Sequence, residues 1–288
     1  MKIRTSMLTC YEHISQFYEK HKKLLHQNYP GIKLKRLVDD FCEYYRVSDE
    51  EVYLHRYSEF FYKILEGVPL EYINKNAYFY RSSFYVDERV LIPRSETEIL
   101  VEDSIKFVKE TFCDNYKIAE VGVGSFVIGL SLMCELDDKV FSFVGGDISE
   151  DALNVAKVNL FRHKNSIPSQ AEVALIQSDR LERISGKYHF IVSNPPYIKR
   201  TENALGVHSK TLEYEPDVAL FIEDDEFYTW FDHFFKQVFE KLLSGGAFFM
   251  EGHEDSLGEL KTLGLKYFKK VIIKKDYTNR PRFLYAYK

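Results

Sequence analysis

The sequence predicts an α/β fold with a mostly parallel, doubly wound sheet, preceded by a small helical module. Two observations predict it. From residue 116 onward, short apolar runs alternate with segments of helical periodicity, which is the pattern of βα units on a parallel sheet. Before residue 73 the periodicity is helical only.

In the first 72 residues, "HISQFYEKHKKLLHQ" and "LKRLVDDFCEYYRV" place apolar residues three and four apart. In "SDEEVYLHRYSEFFYKILEG", Ser48 and Glu51 form a capping-box candidate, and Gly67 with Pro69 ends the helix. Residues 73–93 read as a linker hairpin: "AYFYRSSFYV" is aromatic and broken at Arg81-Ser82-Ser83. Pro93 is expected to end a strand, and Ser95 with Glu98 to cap the helix that follows. The third segment is then residues 94–288. Its strands are read in "KIAEVGVG", "VFSFVGGDIS", "AEVALIQSD", "YHFIVSNPPYI" and "AFFMEG". Its helices are read in "SFVIGLSLMCEL", "EDALNVAKVNLFRH", "DEFYTWFDHFFKQVFEKLL" and "DSLGELKTLG". "FKKVIIKKDYTN" and "RFLYAYK" are expected to close the sheet as an antiparallel hairpin at one edge.

The bulk properties exclude several function classes. The 288 residues are 45% hydrophobic, enough for a sizeable core. The net charge of −5 argues against holding nucleic acid by its phosphates, so no direct sequence-specific nucleic-acid binding is expected. Cys10, Cys42, Cys113 and Cys134 show no CxxC spacing; they read as buried thiols in a reducing compartment, with no metal site. No signal peptide and no apolar run of spanning length is seen, so a cytoplasmic location without membrane contact is expected.

Three stretches carry chemistry. In "AEVGVGSFVIG", Gly122 and Gly124 end the first parallel strand, where glycine lets the chain turn sharply beside a ligand. A third glycine three residues on would complete a dinucleotide fingerprint, but Val127 stands there; no Lys-Ser/Thr makes a P-loop either. Asp147 ends the second strand about 25 residues past Gly122, where an acid accepts hydrogen bonds from ribose hydroxyls. With Glu120 beside the loop and few phosphate donors, a nucleoside without pyrophosphate fits best, and S-adenosylmethionine is such a ligand. Asp179, after the third strand, lies where an adenine amino group is read. Asp179 taken alone is equally readable as a loop acid, and Asp147 is alternatively an N-cap or solvated loop acid, although its distance from the glycine loop favours the ribose reading.

"IVSNPPY" follows the fourth strand, on the same edge of the sheet. Asn194 and a proline carbonyl are two acceptors held at fixed angles, suited to the two N–H groups of a planar –NH2. Pro195 and Pro196 stiffen the backbone, and Tyr197 offers a face for stacking. An amide nitrogen is a poor nucleophile, and two acceptors on its hydrogens favour a more electron-rich nitrogen.

These stretches resemble the HemK-type glutamine N5-methyltransferases that modify peptide-chain release factors. "GVPLEYI", "VLIPRSETEILVE", "EVGVGSFVIGL", "GGDISEDALNVAKVN", "IVSNPPYI", "YEPDVALF" and "KDYTNRPRF" resemble successive motifs of that family over nearly the whole length. The resemblance implies a Rossmann-like S-adenosylmethionine-dependent methyltransferase sheet, mostly parallel with an antiparallel C-terminal hairpin, and a small N-terminal helical domain that docks the protein substrate. It implies cofactor contacts from Glu120, Gly122, Val123, Gly124, Ser125, Phe126, Asp147, Ile148, Asp179, Arg180 and Asn194. Asn194, Pro195, Pro196 and Tyr197 would hold the target glutamine of the Gly-Gly-Gln motif of release factors. Glu96 and Thr97 would form part of the site's lip. Several residues depart from the family pattern. Glu120 stands for Asp, Phe126 for Gly and Ser95 for Pro; Lys75 stands near a usual glycine, and Arg180 where an aromatic or aliphatic residue is commoner. The bulk of Phe126 is expected to reshape the loop near the methionine end.

Competing readings come from different classes. A sister enzyme methylates a glutamine of a large-subunit ribosomal protein and shares the corner. Adenine-N6 DNA methyltransferases share Asn-Pro-Pro-Tyr, but the charge and short connections disfavour them. A binding module with a degenerate cofactor pocket is the non-enzymatic alternative.

Overall fold

The computed structural model describes residues 10–45, 58–112, 116–136, 142–203, 206 and 209–288. The chain divides into two units, residues 1–76 with 209–214 and residues 77–208 with 215–288. The Ser48/Glu51 cap and Cys113 lie outside the described residues, as does the side chain of Cys10; Cys42 and Cys134 are free thiols.

The first unit contains α1 (Cys10–Asn28), α2 (Leu34–Tyr45), α3 (Ser58–Glu66), α4 (Leu70–Asn74) and, from later in the chain, α8 (Ser209–Tyr214). Ile14, Leu25, Leu37, Phe41, Phe60 and Ile64 form its core, at the three- and four-residue spacing read from the sequence. Lys210 and Tyr214 of α8 donate to the carbonyl of Glu66 at 2.9 and 3.2 Å, satisfying an orphan acceptor at the end of α3. Lys75 ends α4 at φ 52°, a left-handed position that glycine adopts at less cost.

The second unit opens on a hairpin, β1 (Ala77–Phe79) and β2 (Ser82–Phe84), followed by α5 (Thr97–Thr111). The strand expected before Pro93 is absent. The backbone N–H of Ile92 is taken by the Glu215 carboxylate at 3.0 Å, and Asp87 accepts from the N–H and guanidinium of Arg89, so side chains replace a ladder there. The Ser95/Glu98 cap does not form either. Glu96 is the N-cap residue, without a side-chain bond, and the Glu98 carboxylate accepts from Tyr80 N instead.

Next come β3 (Lys117–Val121), α6 (Val127–Glu135), β4 (Ser142–Asp147), α7 (Glu150–His163), β5 (Glu172–Gln177), β6 (Tyr188–Ser193) and β7 (Ile198–Lys199). After α8 follow α9 (Asp217–Leu220), β8 (Phe221–Ile222), α10 (Phe227–Lys241), β9 (Leu242–Glu251), α11 (Leu257–Gly264), β10 (Lys270–Lys275) and β11 (Pro281–Tyr287). The described residues form a seven-stranded sheet in the order β10-β11-β9-β6-β3-β4-β5. Its pairs are parallel from β5 to β9 and antiparallel at β11, so the fold class matches the sequence-based expectation. β7 and β8 form a separate parallel pair that the sequence reading did not identify.

Period-two alternation feeds two cores. Ile118, Phe190, Val192 and Phe249 face α5, α6 and α7; Ala119, Ile191, Phe248 and Met250 face α10 and α11. The sheet order reverses at β3, whose neighbours are β4 and β6. The loops after β3 and β6 therefore flank a crevice at the carboxyl edge, where open α/β sheets take their ligands.

Phe126 precedes α6 at φ 65°, the left-handed region. Its ring is fully buried, edge-on to Phe143 at 5.5 Å. A Cβ on Gly129 would lie 2.2 Å from that ring, so the glycine on α6 makes room for the phenylalanine in the loop. Left-handed backbone costs a non-glycine residue roughly 1–2 kcal/mol. Emptying a buried phenylalanine site costs about 3–5 kcal/mol. Packing therefore wins, and Phe126→Gly should destabilise the protein by about 1–4 kcal/mol, read as a lower midpoint in urea denaturation with an unchanged slope.

Candidate active site

A cavity of about 340 Å³ opens at the carboxyl ends of β3, β4 and β6. One wall is the glycine loop. Gly122 (φ 72°) and Gly124 (φ 49°) take left-handed turns, and the N–H groups of Gly122 and Val123 both donate to Gly146 O. Asp147 ends β4 beneath this loop. Its Oδ2 accepts from Gly124 N and its Oδ1 from Ser149 N, each at 2.9 Å. The Ile148 N–H also bonds to this carboxylate; with about four acceptor positions in all, some capacity remains for hydroxyl donors from a ligand. Asp147 is 9% exposed, and burial raises its pKa against the pull of these N–H bonds. Asn159 on α7 pins the loop from behind. Its Nδ2 donates to Ser125 O and Tyr85 O, and its Oδ1 accepts from Tyr85 N.

Glu120 is 1% exposed, and its Oε2 has no hydrogen-bond partner among the described residues. Burial, with the Asp147 charge adding to it, raises Glu120 well above the usual carboxylate range; the Gly129 N–H pulls the other way. At the far end, Asp179 and Arg180 pair through two contacts of 3.0 and 2.7 Å. The Arg180 guanidinium lies 5.2 Å from the ring centre of Trp230, and all three residues line the cavity.

The Asn194 corner forms the facing wall. Ser193 is buried and donates to Val121 O at 2.7 Å, tying the end of β6 to β3. Asn194 Nδ2 lies 3.5 Å from Thr97 Oγ1, Thr97 donates to Glu251 Oε2 at 2.6 Å, and Tyr197 donates to Glu251 Oε1 at 2.9 Å. Burial raises the pKa of Glu251, while the Thr97 and Tyr197 hydroxyls and then Arg282 draw it back down. The "PRSETE" and "YEPD" stretches meet beside this wall, with Arg94 donating to Glu215 at 2.5 Å.

Of the residues expected to contact cofactor or substrate, twelve line this one cavity: Glu120, Gly122, Val123, Gly124, Ser125, Asp147, Ile148, Asp179, Arg180, Asn194, Pro195 and Pro196. Phe126 and Tyr197 do not. The Phe126 ring packs into the core, so its bulk stays out of the cavity and only its backbone belongs to the loop. Tyr197 is anchored by its hydroxyl to Glu251 at 2.9 Å. Thr97 lines the cavity and Glu96 does not. Glu251 and Trp230 were missed by sequence reasoning. Glu251 had a signal: like Asp147, it is an acid ending an apolar strand at the carboxyl edge. Among the described residues no cluster of His, Cys, Asp and Glu is placed to hold a metal ion.

The sheet order, the glycine loop, the acid after the second parallel strand and Asn-Pro-Pro-Tyr after the fourth define a methyltransferase. Residues 97–216 match the methyltransferase small domain family. The catalytic domain of hMettl16, solved in complex with MAT2A 3'UTR hairpin 1, shares the fold. It aligns at a TM-score of 0.53 and 17% identity, over 90% of this chain and 92% of that one. The release factor glutamine methyltransferase of Flavobacterium psychrophilum is 34% identical over 227 residues, 77% of this chain and 76% of that protein. That of Chlorobaculum tepidum is 32% identical over 228 residues, 76% and 74% of the two chains. The chain belongs to the release factor glutamine methyltransferase family.

Because the folded state raises the pKa of Glu120, the folded protein holds that proton more tightly than the unfolded chain. The resulting stabilisation is complete below the ordinary carboxylate pKa and is lost as pH rises through the raised value. Glu120→Gln should therefore flatten the decline in melting temperature as pH rises above the ordinary carboxylate range, and raise the melting temperature on the alkaline side of that decline. Each kcal/mol recovered corresponds to roughly 2–4 °C for a chain of this size. Thermal denaturation as a function of pH checks it.

Proposed function

We propose that this chain transfers a methyl group from S-adenosylmethionine to the side-chain amide nitrogen of the glutamine in the Gly-Gly-Gln motif of peptide-chain release factors, in the cytoplasm. The observation that carries the reading is that Asn194 shares one cavity with the glycine loop and Asp147. An amide acceptor thus faces a nucleoside pocket. The names of the relatives point to the same substrate.

The residues fit the methyl donor. Asp147 keeps acceptor capacity for ribose hydroxyls, the loop glycines leave room for close approach, and the unpartnered Glu120 oxygen suits an ammonium group. S-adenosylmethionine, when bound, supplies an electrophilic methyl group on a sulfonium. Asn194 Oδ1 and the carbonyl of Pro195 accept the two N–H groups of the substrate amide. The prolines fix these acceptors in advance, so little reorganisation is needed. They favour a pyramidal, electron-rich nitrogen, and the methylated amide then sheds a proton without a dedicated base.

The test is incubation with labelled S-adenosylmethionine and, in parallel, a release factor, a large-subunit ribosomal protein and an adenine-containing DNA duplex. Peptide mass spectrometry should place the label on the Gly-Gly-Gln glutamine; labelling of only the other two substrates would overturn the assignment. Asn194→Ala removes one preorganised acceptor and should lower turnover about 10²–10³-fold in a variant that still binds cofactor, as measured by steady-state kinetics and calorimetry.

The helical unit is proposed to dock the protein substrate. Its Tyr62 is 65% exposed, a large apolar ring left to solvent. Tyr62→Glu should raise KM for intact release factor several-fold and leave KM for a short glutamine peptide unchanged; equal effects on both would remove the docking role.

A further inference from the structure

We propose that Glu251 and Thr97 are positioning residues that fix which end of the Asn194 side-chain amide faces the substrate, through a one-directional chain of hydrogen bonds. The inference rests on the reading of Asn194 as the acceptor for the substrate amide. The two ends of an asparagine amide have nearly the same shape, and only their hydrogen-bond partners decide which way it points. The choice matters here. A substrate –NH2 brings two donors; a flipped Asn194 would meet donors with donors.

The geometry settles the direction. Glu251 ends β9 at the carboxyl edge and is 1% exposed; Thr97 opens α5 and is 2% exposed. Glu251 uses one oxygen on the Thr97 hydroxyl, at 2.6 Å, and the other on the Tyr197 hydroxyl, at 2.9 Å. A threonine hydroxyl carries a single hydrogen. Once that hydrogen is donated to the carboxylate, Oγ1 presents only lone pairs to Asn194. Nδ2, 3.5 Å away, is the group that can meet them, and Oδ1 is left for the cavity. The chain of command runs from a buried carboxylate to a hydroxyl to an amide.

It needs Glu251 as an acceptor. Burial and Glu96, ahead of α5, oppose the charged form; the two hydroxyl bonds and Arg282 on β11 favour it. Tyr197 binds the same carboxylate, so the corner that holds Asn194 is tied to the charge that orients it.

Thr97→Val keeps the shape and removes the hydroxyl, whereas Thr97→Ser keeps the hydroxyl. With release factor as substrate, Thr97→Val should lower kcat by about 10²-fold with cofactor affinity unchanged, and Thr97→Ser should restore it to within a few-fold of wild type. Glu251→Gln, whose Nε2 can donate to Thr97, should lower kcat similarly, and the double variant should be no slower than the slower single. A second readout needs no turnover. With selective 15N-asparagine labelling, the Asn194 Nδ2 proton resonances, assigned through Asn194→Asp, should move in Thr97→Val and stay in Thr97→Ser. Unchanged Nδ2 resonances and unchanged kcat in Thr97→Val would overturn the proposal, as would a loss confined to cofactor affinity. A wild-type protein inactive on glutamine would overturn the functional reading instead, and the resonances would still decide the relay.

Discussion

The carboxylate of Glu251 is the constraint on which the acceptor side of the site depends. A buried carboxylate carries a desolvation penalty of several kcal/mol unless its oxygens are paired. Here Thr97 and Tyr197 donate to its two oxygens, and the field of Arg282 supports it from β11. Arg282 is itself held by Asp276, 3.4 Å away. The Thr278 hydroxyl and then backbone N–H groups hold Asp276 down at about 2, so its charge persists. Removing any one partner leaves a buried charge short of compensation, which is why residues far apart in sequence belong to one unit.

The antiparallel insertion of β11 makes this possible. Parallel strands send only their carboxyl ends to the ligand edge of the sheet. β11 runs the other way beside β9, with Phe283 opposite Glu251, so its amino end and Arg282 reach that same edge. Asn279, at φ 64°, turns the chain between β10 and β11; its side chain tolerates the left-handed region better than most. The closing "KDYTNRPRF" segment is thus a support for Asn-Pro-Pro-Tyr, some eighty residues earlier in the chain.

The opposite wall follows different electrostatics. Glu120 and Asp147 are both buried acids whose pKa values are raised, and no cation pairs with Glu120 among the described residues. Once ionised, such a pair destabilises the ligand-free fold and favours a ligand that brings positive charge and hydroxyl donors together. Arg180 balances this only at the far end, where it is committed to Asp179 and to the face of Trp230.

The sheet was legible in the sequence, because its apolar alternation has to feed two faces of a parallel core and leaves little choice of register. The sequence also placed Gly122, Gly124, Asp147 and Asn194 on one edge, since all of them follow strands that run the same way. The fate of Phe126 was settled by packing between distant elements. Its position in a cofactor loop suggested a ligand contact, but the space beside Gly129 and Phe143 drew the ring inward. The extended stretch before Pro93 lost its strand for a similar reason, once Glu215, more than a hundred residues on, took the backbone N–H of Ile92. Glu251 was visible only as an acid after an apolar run. Its partners come from α5, the Asn-Pro-Pro-Tyr corner and β11, and long-range pairing of that kind has no local sequence signature.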